Sequence, residues 1–147
     1  MSREILFRGK RTDNGEWVEG SLLIDYISGQ YFIHTNGNSV NKSNKIGKEG
    51  CLKFLAFEVD PETVGQYTGL TDKNGRKIFE GDIIRYTDKL IGRAKVDQVK
   101  YNETHASFCK LHKSKMGLQY LLLCEYDANR CEVIGNIFDN PELLEGE

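Results

Sequence analysis

The sequence predicts an all-β, mainly antiparallel protein, and three observations carry that prediction. Short apolar runs bounded by turn residues recur at about ten-residue spacing, the rhythm of sandwiches and barrels. Two Asn-Gly pairs, Asn14-Gly15 and Asn74-Gly75, supply residues that tolerate the positive φ of a tight hairpin. No segment carries a long apolar period of about 3.6 residues, the mark of an amphipathic helix.

The elements follow in order. Residues 3–9 (REILFRG) and 17–26 (WVEGSLLIDY) read as strands joined through Asp13-Asn14-Gly15. Residues 29–35 (GQYFIHT) read as a third strand, entered at Ser28-Gly29. Residues 35–50 are rich in Gly, Asn and Lys, which predicts a long loop. Residues 51–60 (CLKFLAFEVD) read as a buried strand stopped by Asp60-Pro61, because Pro61 lacks an N–H and restricts Asp60. Residues 61–70 (PETVGQYTGL) fit either a helical turn or a bent strand. Strands are then expected over 77–86, 93–101, 106–113, 118–126 and 131–138. The stretch from Glu103 to Gly117 is ambiguous in period and is assigned to β from its flanks. Only the tail DNPELLEGE reads as helical, with Asn140 as cap, Pro141 at the first position and Glu142 in the first turn.

Composition narrows the function classes. A chain of 147 residues can bury about two-thirds of its unfolded surface, enough for one domain or two small ones. With 39% hydrophobic and 29% charged residues it is globular, and its net charge of −2 gives no general affinity for polyanions. No apolar run approaches the roughly 18 residues that span a bilayer. The charged start MSREILFRGK is not a signal peptide, so a cytoplasmic protein without a membrane partner is expected. The four cysteines, Cys51, Cys109, Cys124 and Cys131, lack framework spacing and read as free thiols.

One sentence is written twice in the chain. Residues 7–26 and 66–86 share a Gly (Gly9, Gly69), then Thr-Asp (Thr12-Asp13, Thr71-Asp72), Asn-Gly, Glu-Gly (Glu19-Gly20, Glu80-Gly81), two aliphatics and a Tyr. The expected device is a strand bent at a Gly, a hairpin on Asn-Gly, and a second strand re-aimed at Glu-Gly, since a Gly inside a strand marks a bulge or a close backbone approach. Paired carboxylates such as Glu80 and Asp82, or Asp13 and Asp72, do acid–base work when held close together. Beside turn glycines, however, an Asp bonds its own backbone, so Asn14, Gly15, Gly20, Asn74, Gly75 and Gly81 are read as structural turn residues.

Three blocks resemble the YopX family of phages and prophages: REILFRGKRTDNGEWVEG, VDPETVGQYTGLTDKNGRKIFEGDIIRY and EVIGNIFDNPELL, in that order. The segments 30–57 and 87–130 carry little of the likeness. The resemblance implies a small, mostly β, phage-borne protein located in a bacterial host, with no activity to carry over. EGDIIRY also resembles the opening of SH3-like barrels. The expected organisation is therefore an N-terminal β unit over residues 1–60 and an SH3-like, partly open barrel over 61–147, ending in a short helix.

Candidate sites are few. His105, Cys109 and His112, with Cys124 or Cys131, are the residue types that zinc takes, but no short Cys-x-x-Cys knuckle is present. Strand alternation moreover sends Cys109 and His112 to opposite faces. No nucleophile motif or phosphate-binding Gly loop is found. No catalytic residue, metal or cofactor is assigned, and binding is expected rather than catalysis. The partner is expected to be a host or phage protein, or a second copy meeting an exposed strand edge. The alternative is an accessory nucleic-acid binder using Arg93, Lys95, Lys100, Tyr101, Lys110, Lys113 and Lys115, since small barrels use basic grooves with stacking aromatics.

Overall fold

The computed structural model describes residues 2–35 and 56–145. The expected loop after Thr35, Cys51 and the first half of the 51–60 strand lie outside them. The chain is all-β and antiparallel, in two compact units, Met1–Gln66 and Tyr67–Glu147. The expected boundary after residue 60 falls instead within the first unit, ahead of a 3₁₀ turn at Pro61–Thr63.

The first unit is a meander of β1 (Phe7–Lys10), β2 (Trp17–Asp25), β3 (Gln30–His34) and β4 (Ala56–Val59), in spatial order β4-β3-β2-β1. The β1–β2 turn is built as the sequence requires: Gly15 has φ 72°, and Asn14 Oδ1 accepts from Glu16 N at 2.9 Å. Along β2, Leu22 and Ile24 are half-buried while Ser21, Leu23 and Asp25 face outward, the period of two of a one-sided strand. Ile33 and Val59 are fully buried. Gly20 does not re-aim the strand, contrary to the expectation from the repeat. It sits in the middle of an unbroken β2, where a Cβ would collide with the backbone carbonyl of His34.

Residues 61–70 turn out to be both alternatives in succession. Asp60 caps the 3₁₀ turn by accepting from Glu62 N at 3.0 Å, and β5 (Gly65–Thr71) follows. The start of β5 pairs with β1, Phe7 opposite Gln66 and Arg8 opposite Gly65.

In the second unit the remainder of β5 forms a hairpin with β6 (Lys77–Phe79), and Tyr67 packs on Phe79 with ring centroids 5.6 Å apart. Gly69, at φ 88°, lies in a register shift of this pair. The positive φ of Gly81, 86°, ends β6 and lets β7 (Asp82–Thr87) leave in a new direction, so the expected single strand over 77–86 is two. Strands β8 (Ala94–Asn102), β9 (Ser107–Ser114), β10 (Gly117–Leu122) and β11 (Glu132–Asn136) complete a sheet in the order β10-β9-β8-β7-β11. β6 takes no part in it, and among the described residues its edge strands β10 and β11 do not pair, so no closed barrel forms.

The strand expected over 118–126 ends at Leu122 and gives way to one helical turn, α1 (Glu125–Ala128). The C-terminal turn is the 3₁₀ segment Pro141–Leu144. Asn140 does not cap it with its side chain; its Oδ1 accepts from Asn136 N at 3.3 Å instead. The core of this unit is Ile78, Ile84, Val99, Leu123, Ala128, Cys131 and Val133, joined by Leu70 and Tyr86. Burying each large aliphatic here contributes about 1.5–3 kcal/mol.

Candidate functional site

Register explains how polar groups come to lie on the core face of the five-stranded sheet. Ile84 stands opposite Asp97, Tyr86 opposite Lys95, and Val99 opposite Lys110, and cross-strand partners share a face. Asp97 therefore points the same way as the core residue Val99. It is fully buried, and its two oxygens are both engaged: Oδ1 lies 2.6 Å from His112 Nδ1, and Oδ2 accepts from the Tyr86 hydroxyl at 2.6 Å. Burial, reinforced by that bond to Asp97, pushes the Tyr86 hydroxyl well above its ordinary range.

The network continues past Tyr86. Lys110 Nζ lies 4.6 Å from the Tyr86 ring centroid and 3.3 Å from Asp127 Oδ1, and the Cys124 thiol donates to Asp127 Oδ2 at 3.2 Å. Lys110 is buried, so it is held by a desolvated cation–π contact and an ion pair together. Chemically, an Asp-oriented imidazole is one half of a nucleophile–base pair, but here the hydroxyl bonds the carboxylate and not the imidazole. The arrangement anchors the sheet face: each charge has an opposite charge or a hydrogen-bonding partner.

Beside this network, wholly within the second unit, lies a cleft of about 250 Å³. Tyr86, Lys110 and Cys131 line it together with Leu90 and Tyr126. Burial, with the charge of Asp72 nearby, raises the Cys131 thiol to about 11, which makes it an inert wall rather than a nucleophile. At the rim Lys89 Nζ donates to the Tyr126 hydroxyl at 3.1 Å, and the Arg130 guanidinium lies 3.6 Å from the Tyr126 ring centroid. Arg130 also donates to the Tyr126 carbonyl at 2.9 Å. The hydrogen bond from Lys89, aided by the charge of Arg130, lowers the Tyr126 hydroxyl from its usual range. Asp88 makes an ion pair with Lys95 at 2.7 Å, and that bond holds its carboxyl below the usual range.

The residues singled out in the sequence are distributed as follows. The turn residues Asn74 and Gly75 (φ 78°) sit in a hairpin organised by Asp72. Asp72 Oδ1 accepts from Asn74 N and Arg76 N, both at 2.9 Å, and Oδ2 accepts from Val133 N on β11 at 3.0 Å. Its equivalent in the repeat, Asp13, is exposed and paired with Arg11 at 2.6 Å. Asp82 is buried and accepts from Phe79 N at 2.8 Å across the Gly81 break.

The seven residues of the nucleic-acid alternative do not share a face. Lys95, Tyr101 and Lys110 lie on the core face, Lys100 and Lys113 on the opposite one, and Arg93 and Lys115 in turns. The candidate zinc residues are not brought together either: Cys109 and His112 take opposite faces, and His105 is in the β8–β9 turn. No three His, Cys, Asp or Glu among the described residues converge on a metal position. Sequence reasoning missed Asp97, Tyr126, Asp127 and Arg130. For Asp97 a signal was available: an acid two residues before Val99, at the same inward parity.

Comparison with known proteins adds three findings. A family model described as YopX protein matches residues 6–145. The crystal structure of protein EF1440 from Enterococcus faecalis aligns at 25% identity and a TM-score of 0.51, over 97% of this chain and 99% of that one. A search of curated proteins found no match. No helix among the described residues is long and apolar enough to cross a membrane.

Proposed function

The chain belongs to the YopX family, and on that premise we propose that it is a non-catalytic protein-binding module of a phage or prophage, working in the cytoplasm of the bacterial host. The observation that supports this reading is β10. Among the described residues it pairs only with β9, leaving one edge of the sheet open. Leu118, Tyr120 and Leu122 project from one side of that edge strand with 65%, 43% and 63% of their surfaces exposed. Leu111 stands beside Tyr120, and Lys113 beside Leu118. An open edge offers backbone hydrogen bonds to an added strand, and the alternate apolar side chains offer selectivity. The partner that fits is an extended segment with alternating apolar residues and an acid to meet Lys113. A second copy of this chain joining at the same edge is the homotypic form of the reading.

The test is capture of partners from a bacterial lysate on the tagged full chain, with and without nuclease. A specific protein that survives nuclease supports the reading. Loss of everything captured on nuclease treatment favours the nucleic-acid alternative, whose phosphate contacts would also weaken steeply with salt.

A further inference from the structure

We propose that the cleft beside Tyr126 binds a small organic anion with a flat apolar body, of the aromatic carboxylate class. This goes beyond the protein-binding reading, because the cleft is lined from the end of β7, the β7–β8 turn, Lys110 of β9 and the α1 region, and by no residue of β10.

Charge decides the sign of the ligand. Asp88 is neutralised by Lys95 at 2.7 Å and Asp127 by Lys110 at 3.3 Å. Lys89 and Arg130 make no ion pair among the described residues. Both are nonetheless held in place on Tyr126, one through its hydroxyl and one across its ring and carbonyl. Two fixed, uncompensated cations on one rim are a prepared site for an anion, since their ordering cost is already met before binding. A cationic ligand would meet them as like charges.

Apolar surface decides the body. The buried Cys131 and the Tyr86 ring line the interior, and Leu90 at the cleft is 96% exposed, an unusual state for a leucine that lines a concavity. A volume of about 250 Å³ accommodates a single-ring compound. With its ring against Leu90 and Tyr86, a carboxylate reaches the Lys89 and Arg130 side of the opening. The same two cations, Lys89 through its hydrogen bond first and Arg130 through its charge, make the Tyr126 hydroxyl more acidic than usual.

The experiment is an NMR titration of the isotope-labelled full chain with benzoate, benzylamine, inorganic phosphate and N-acetylphenylalanine. Benzoate is expected to shift the amides of Leu90, Asp127 and Arg130 saturably, and benzylamine to bind about tenfold more weakly or not at all. In the double variant Lys89→Gln/Arg130→Gln the two ring compounds should bind equally. Both side chains are exposed, and an otherwise unchanged amide spectrum shows that the fold is kept. Tighter binding of N-acetylphenylalanine than of benzoate would support the site and assign it to a peptide's C-terminal end; the reverse would assign it to a free acid. Benzylamine as tight as benzoate, phosphate alone as tight as benzoate at the same amides, or no saturable shift with any of the four compounds would overturn the proposal.

Discussion

Asp72→Ala should be among the most destabilising single changes in the second unit. The carboxylate is 4% exposed and accepts three backbone N–H groups, two within its own hairpin and one from Val133 on β11. Hydrogen bonds to a charged group are each worth about 1.5–3 kcal/mol, and a simple sum would exceed what single substitutions generally cost. The donors differ in their recovery, however. Asn74 and Arg76 are exposed, so water replaces much of what they lose, whereas Val133 is buried and its N–H is left unmet. The expected net loss is about 3–4 kcal/mol, most of it from the β11 contact and the loosening of the hairpin.

Acidity gives a second signature. Burial raises the Asp72 carboxyl, but the three N–H donors outweigh it, so its folded pKa lies below the unfolded one. A depressed acid contributes its full stability above the unfolded value, about 3.9, and loses it as pH falls through the folded value. The gap between wild type and Asp72→Ala should therefore be flat from neutral pH down to about 5 and narrow below about 4. Urea unfolding followed by far-ultraviolet circular dichroism measures both. Asp13→Ala, at the equivalent place in the repeat, removes only an exposed ion pair and should leave the transition where it is. A loss under about 1 kcal/mol for Asp72→Ala, or an equal effect at Asp13, would refute the reasoning.

Three further outcomes follow from the geometry. Gly20→Ala drives a Cβ into the His34 carbonyl and should cost about 1–3 kcal/mol. Gly15→Ala, which meets no atom within 4 Å and is resisted only by its φ of 72°, should cost about 1 kcal/mol; thermal unfolding of the pair ranks them. Tyr86→Phe removes the 2.6 Å bond to buried Asp97 and should lose about 1.5–3 kcal/mol by urea titration. Alkylation with iodoacetamide at neutral pH, mapped by peptide mass spectrometry, should mark exposed Cys124 while buried Cys109 and Cys131 stay protected until the chain unfolds.

The sequence was most legible where turn chemistry is local. Gly15 and Gly75 close their hairpins at positive φ, and Asp60-Pro61 stops β4 through a missing donor, so strand existence and order follow from short stretches. The repeat misled at Gly20 because a glycine needed for close approach and one needed for positive φ are the same letter; only the neighbouring His34 carbonyl tells them apart. The α1 turn was hidden because LQYLLLCEY is apolar or aromatic almost throughout, with no period to mark where strand gives way to helix. The site was the least legible part. Tyr86, Asp97 and His112 meet through the register of β7, β8 and β9, and register depends on pairings that no single segment specifies. The lysines from Lys95 to Lys113 looked like one face because they are close in sequence, whereas alternation sends them to two.

The most direct test of the central claim, that this chain binds protein through its open β10 edge, is nuclease-treated capture from a bacterial lysate with the wild-type chain beside Leu118→Lys/Leu122→Lys. Both leucines are exposed, so the variant should fold, and circular dichroism checks that it does. A specific protein should be retained by the wild type and lost from the variant. Equal retention by both chains, or a wild-type catch that disappears with nuclease, would contradict it.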